Sequence, residues 1–159
     1  MSSAVSVTDN GYNALRERLE RMGRTRVRVG VLDDAPKRAA ASKTGEKLSL
    51  LEVAAVHEFG APAAGIPQRS FVRATVDEKR AEIAADQERI AAAVLAGKLE
   101  PEQGAEMLGA RVQGLLQARI AQGIGPALAP ATIKRKKSSK PLVDTGQLRS
   151  SITFRVEVG

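Results

Sequence analysis

Between Thr25 and Val31 a valine occupies every second position, Thr-Arg-Val-Arg-Val-Gly-Val, and the same period of two returns at Ile152, Phe154, Val156 and Val158. A period of two places alternate side chains on opposite faces of an extended chain, so both segments are expected as half-buried strands with these apolar residues inward. Between and before them the period changes to three and four. Tyr12, Leu15, Leu19 and Met22 trace one face of a helix that follows Asn10-Gly11, with Gly23 expected to end it. Leu48 to His57, carrying Leu51, Val53, Ala54 and Val56, predicts a short second helix. Phe59-Gly60 is expected to close it with a buried aromatic.

The longest periodic segment runs from Arg69 to Ala96, with Val72, Val76, Ile83, Ile90 and Val94 on one stripe and charged residues off it. Gly97 and Pro101 then mark the end of one helix and the start of the next. In that next helix, Pro101 to Gln122, Leu108, Val112, Leu115 and Ile120 are expected inward. Gly104, Gly109 and Gly114 each weaken it by about 1 kcal/mol relative to alanine, and their five-residue spacing traces no single helical face. Residues 33–47 shift to Ala, Lys, Ser, Gly and Pro without a pattern, which predicts a mobile loop. A second loop, with two prolines, is expected from Gly123 to Pro130, followed by a short basic turn at Ala131 to Lys137. The expected fold is α+β: one domain over 1–159, in which a small antiparallel sheet packs against a long helix and residues 82–124 form an inserted helical hairpin.

At 159 residues the chain suffices for one core. Alanine is abundant and the aromatics are only Tyr12, Phe59, Phe71 and Phe154, so close-packed helices with modest buried area are expected, and self-association would add stability. The opening residues Met1 to Asn10 do not read as a secretory signal, and no apolar run is long enough to span a bilayer, so a soluble, cytoplasmic protein with no membrane partner is expected. The net charge of +7 points to an anionic partner. It is concentrated in the arginine-rich opening from Arg16 to Arg28 and in Lys134, Arg135, Lys136, Lys137 and Lys140, a candidate contact for DNA or an acidic partner.

Catalytic readings find little to stand on. The chain has no cysteine and a single histidine, so His57-Glu58 lacks the second imidazole that a zinc-protease helix requires, and no serine has the usual general base. Gly123-Ile124-Gly125-Pro126 has glycines, but the proline removes one amide that a phosphate cradle would use. No enzyme activity, metal or cofactor is expected.

Two other segments carry structural chemistry. In Leu142-Val143-Asp144-Thr145-Gly146-Gln147-Leu148, either Asp144 or Thr145 suits a helix N-cap, with Gln147 placed as in a capping box and with Leu148 and Ile152 anchoring the turn on the core. Upstream, Ile66-Pro67-Gln68-Arg69-Ser70-Phe71 leads into the long helix, with Phe71 packing back near its start and with Arg69 and Arg73 forming a small basic face.

In order along the chain, Ala54, His57, Glu58, Phe59 and Gly60, then Ile66, Pro67, Arg69, Phe71 and Arg73, then Leu142 to Gly146, Leu148, Ser151 and Ile152 resemble the small neck and tail-completion proteins of tailed bacteriophages, also described as tail components or virion morphogenesis proteins. The resemblance spans Val27 to Val158, although the helical segment from Glu82 to Ile124 is longer than that family's usual core. It implies a homo-oligomeric ring, commonly a hexamer, at the head–tail junction of the virion, assembled in the host cytoplasm. Its partners would be other neck or connector proteins and a tail terminator or tail tube, with DNA passing through the ring without sequence-specific contact. It implies no catalysis. The alternative reading is a small basic accessory protein that binds nucleic acid without sequence preference, which the charge favours and the shortage of stacking aromatics opposes.

Overall fold

A computed structural model describes residues 9–32, 40–41, 47–125 and 146–159. Helix α1 (Tyr12–Arg24) leads directly into strand β1 (Thr25–Val31), which pairs antiparallel with β4 (Ile152–Val158). The register sets Val27 against Val156, Val29 against Phe154 and Val31 against Ile152, so the apolar residues of both strands share one face, as the period of two predicts. Between them lie β2 (Ala40–Ala41), β3 (Lys47–Leu48), α2 (Leu50–Phe59), α3 (Arg73–Glu78), α4 (Arg80–Leu95), α5 (Pro101–Gln122) and α6 (Gln147–Ser150). The α+β class is therefore as expected. The stretch 33–47, expected without structure, contains β2 and reaches β3, and these pair as Ala40 with Leu48 and Ala41 with Lys47. The pattern escaped notice because two-residue strands are too short to show a period.

The long helix against the sheet is α5. Gly109 faces the inner side of the ribbon so closely that a β-carbon there would lie 2.5 Å from Phe154 and 2.9 Å from Val27. Gln113 and Gln117 donate from Nε2 to the Ile152 carbonyl at 2.9 and 3.3 Å, and Leu116 and Ile120 lie fully buried further along the same face. This line of 109, 113, 116 and 120 is the true inward face. Leu116 takes the core place expected of Leu115, which is only half-buried. Two of the three glycines are close-approach positions, contrary to the expectation from their spacing. Gly109 admits the sheet, and Gly104 admits Ile90 of α4, whose Cγ2 would lie 2.5 Å from an added β-carbon. Gly114 faces open space.

Ala54, Phe71, Leu116, Ile120, Leu148 and Ile152 form one core cluster, with Val29, Val31, Val72, Val112 and Ile124 against it. The segment 82–124 thus contributes the centre of the packing through Leu116 and Ile120.

The periodic segment from Arg69 to Ala96 is two helices, not one. The helical geometry begins only at Arg73 and breaks at Lys79, whose φ and ψ are −103° and 10°. The Thr75 hydroxyl donates to the Phe71 carbonyl at 2.6 Å, a side-chain bond of the kind that bends helices. Arg119 of α5 holds Glu78, the last residue of α3, through two hydrogen bonds of 2.8 and 2.9 Å. Helix α1 also departs from expectation. Gly23 lies inside it, and Thr25 caps its end by donating its hydroxyl to the Arg21 carbonyl at 2.8 Å.

Candidate functional site

The two motif segments meet. The first, from α2 to the start of α3, contributes Ala54 and Phe71 to the core; the last contributes Leu148 and Ile152 to the same cluster, and α2 packs against α6. Around this contact the polar residues divide into a buried clasp and exposed neighbours.

Glu58 forms the clasp. It sits one residue from the end of α2, and its side chain is buried. Its carboxylate accepts from the Ser70 hydroxyl at 2.6 Å and from the backbone amides of Phe71, Val72 and Arg73 at 2.8, 2.9 and 3.0 Å. Those amides belong to the approach and first turn of α3, where free N–H groups need a partner and a negative charge is favoured. A carboxylate from one helix therefore starts another. Two further bonds hold the pair together: the Glu58 carbonyl accepts from Gln68 Nε2 at 2.9 Å, and the His57 carbonyl accepts from the Arg69 amide at 2.8 Å. Burial pushes the Glu58 carboxyl up, but the Ser70 hydroxyl and the three amides together outweigh it and hold the group below the ordinary carboxylate range. A carboxylate with four donors already on its oxygens is committed to structure and poorly placed to take a proton from a substrate.

Gly60 explains the rest of the first motif. Its φ is +77°, and a β-carbon there would lie 2.9 Å from the Gln68 amide nitrogen, so the chain can turn back only with glycine. The turn closes through a bridge between Ala61 and Ile66, and Pro67 is exposed beyond it.

Phe59 and Arg69 reverse their expected places. Phe59 is 71% exposed rather than buried, because Glu58 and Ala54 take the inward face of α2. Arg69 is 5% exposed rather than part of a basic face with Arg73, because it precedes α3 and its amide is drawn to α2. Phe71, 1% exposed, packs as expected. His57 is half-buried.

In the last motif, Leu148 and Ser151 are buried, and the Ser151 hydroxyl donates to the Leu148 carbonyl at 2.8 Å. Gly146 occupies the cap position of α6 with φ +71°. Asp144, Thr145, Lys134, Arg135, Lys136, Lys137 and Lys140 lie outside the described residues.

Two surfaces were only partly legible in the sequence. The first is α1, where three of the four apolar stripe residues are exposed, Tyr12 at 69%, Leu19 at 50% and Leu15 at 39%, while Met22 is half-buried beside the cavity between α1 and β1, and no residue of the helix is fully buried. The helix is held instead by its charged side. Arg18 donates to the Leu95 carbonyl at 3.1 Å, and Arg21 reaches Glu100 and Glu102 at 2.6 and 2.5 Å. The second is the outer face of the β1–β4 ribbon, where Arg26, Arg28, Thr153 and Arg155 are exposed. Arg28 stands directly opposite Arg155 in the register, and Arg28 also meets Glu157 at 3.2 Å. The signal for this face was the arginine at alternate positions of β1, visible once β4 is laid against it.

Two shallow cavities flank α4 and α5. One of about 300 Å³ is lined by Ile90, Ala93, Leu99, Met107 and Leu108 with Asp86 and Arg111 at its rim. The other, of about 330 Å³, lies between α1, β1 and the helical pair. Among the described residues no cluster of three or more His, Asp or Glu side chains suits a metal ion, and no helix is long and apolar enough to cross a membrane. Comparison with known protein families, with curated proteins and with solved structures finds no match to this chain.

Proposed function

We propose that this chain is a structural subunit of a tailed-bacteriophage neck, assembling with copies of itself into a ring at the head–tail junction through which DNA passes. The observation that carries the reading is α1: an amphipathic helix docked by arginines, with Tyr12, Leu15 and Leu19 presented to solvent. A stripe of this kind on an ordered helix suits burial against a neighbour. The exposed Phe59 adds to it, as do the outer edges of the β1–β4 ribbon, which carry no further strand among the described residues. Head-to-tail use of such surfaces closes into a ring when the rotation between copies divides a full turn. The Glu58 clasp fits a scaffold role, since it spends the best buried carboxylate on holding two helices together. The sequence resemblance supplies the neck; the exposed stripe supplies the reason to assemble.

The test is mass by light scattering at several protein concentrations in low and high salt, coupled to a joining assay with separately made heads and tails. A closed oligomer that restores joining is expected. A monomer under every condition that also fails to join heads to tails overturns the proposal.

A further inference from the structure

We infer that the outer face of the β1–β4 ribbon is a contact surface for the phosphate backbone of duplex DNA. The face carries Arg26, Arg28 and Arg155 with a single carboxylate, Glu157, among them. Arg28 and Arg155 stand directly opposite one another, and Glu157, which meets Arg28 at 3.2 Å, lies opposite Arg26. All three cations are arginines, whose planar guanidinium matches a phosphate with two parallel donors. The ladder holds Arg26 and Arg28 on one side and Arg155 on the other, so the cations form a patch two strands wide rather than a file.

The same face argues against the other polyanion, an acidic protein. Protein interfaces are anchored by apolar or aromatic residues in a desolvated centre. Positions 26, 28, 153, 155 and 157 offer arginine, threonine and glutamate and no such anchor. The absence of aromatics also removes base stacking, which selects duplex over single strand and backbone over sequence. Duplex DNA as the ligand rests on the proposed ring, and the residues that would contact it here are Arg26, Arg28 and Arg155.

The experiment is fluorescence anisotropy of a labelled mixed-sequence duplex titrated with the full-length protein at about 50 and about 200 mM salt. Wild type is expected to bind at the lower salt and to weaken steeply at the higher. The combined Arg26→Gln, Arg28→Gln and Arg155→Gln variant should bind about tenfold or more weakly and lose about two to three from the slope of log affinity against log salt. The corresponding three Arg→Lys changes should keep that slope. Arg26→Gln alone, at an exposed position, should lower it by about one and covers the case in which the triple variant fails to fold. Mass measured on the same samples separates the two proposals: loss of binding with the oligomer intact supports the face, and loss of the oligomer in wild type counts against the ring alone. Unchanged affinity and slope in the folded glutamine variants overturns the inference. So does a duplex that wild type fails to bind at the lower salt, or a polyglutamate peptide that binds as tightly as the duplex and depends on the same arginines.

Discussion

Glu58 and Phe71 are joined by a 2.8 Å hydrogen bond from the Phe71 amide to the Glu58 carboxylate, and both residues are buried. The amide sits where the chain leaves the Gly60 turn, so this bond fixes how α2 hands over to α3. It also seats the Phe71 ring in the cluster that contains Leu148 and Ile152.

Removing the carboxylate strands a hydroxyl and three amides at that handover. Glu58→Ala is expected to destabilise the fold by about 2–3 kcal/mol, the scale of a hydrogen-bonded charge, and Ser70→Ala by about 1 kcal/mol. Denaturant unfolding followed by circular dichroism measures both. A loss below about 0.5 kcal/mol for Glu58→Ala shows that the clasp contributes nothing beyond an ordinary surface residue.

The clasp also sets an acid limit. The folded-state Glu58 carboxyl titrates below its unfolded value of about 4.3, so its contribution is fully present above that pH and is lost as pH falls through the folded value. Stability of the wild type should therefore drop more steeply than that of Glu58→Gln as pH is lowered from about 5. Parallel curves for the two proteins contradict the assignment.

The glycines of α5 make a contrasting pair. Gly109→Ala sets a methyl group 2.5 Å from Phe154 and is expected to destabilise by about 1–3 kcal/mol, with partial recovery in a Phe154→Leu background. Gly114→Ala meets open space and should stabilise by about 0.5–1 kcal/mol through helix propensity. Thermal melts of the two variants read this directly, and equal effects at both positions refute the packing described for Gly109.

Helix α1 separates assembly from folding. Leu19→Glu removes an exposed apolar group, so the melting temperature of the subunit should shift by no more than a surface change allows, about 0.5 kcal/mol equivalent, while the oligomer dissociates. Light scattering and circular dichroism on one preparation suffice. An intact oligomer carrying Leu19→Glu places the interface elsewhere.

Much of this architecture could be read before any coordinates. The two strands and α5 declared themselves because a period of two and a long glycine-to-proline boundary are local signals. What stayed hidden depends on partners distant in sequence. Periodicity located the stripe of α1 but not its direction, because Arg18 and Arg21 find acceptors at Leu95, Glu100 and Glu102 and leave Tyr12, Leu15 and Leu19 outward. Composition marked Gly109 as a weakness, whereas it is the place where Phe154 comes close. His57-Glu58 invited comparison with a zinc-protease helix and failed it for want of a second histidine; only the chain's return at Ser70 to Arg73 shows what the carboxylate does. The inward reading of Phe59 and the outward reading of Arg69 failed for that same reason.

The pairing of Thr25 with Val158 has a further consequence for biogenesis. Among the described residues β1 pairs with β4 alone, so this ladder forms only after β4 has followed all the helices out of the ribosome. Until then Val27, Val29 and Val31 lack their partners in β4, and α5 has half of that ribbon to rest on. Joining strands so far apart in sequence makes ordering slow compared with local helix formation. A chain cut short within the helices would expose the valine stripe to chaperones and proteases, so only completed subunits would reach the pool from which larger structures are built.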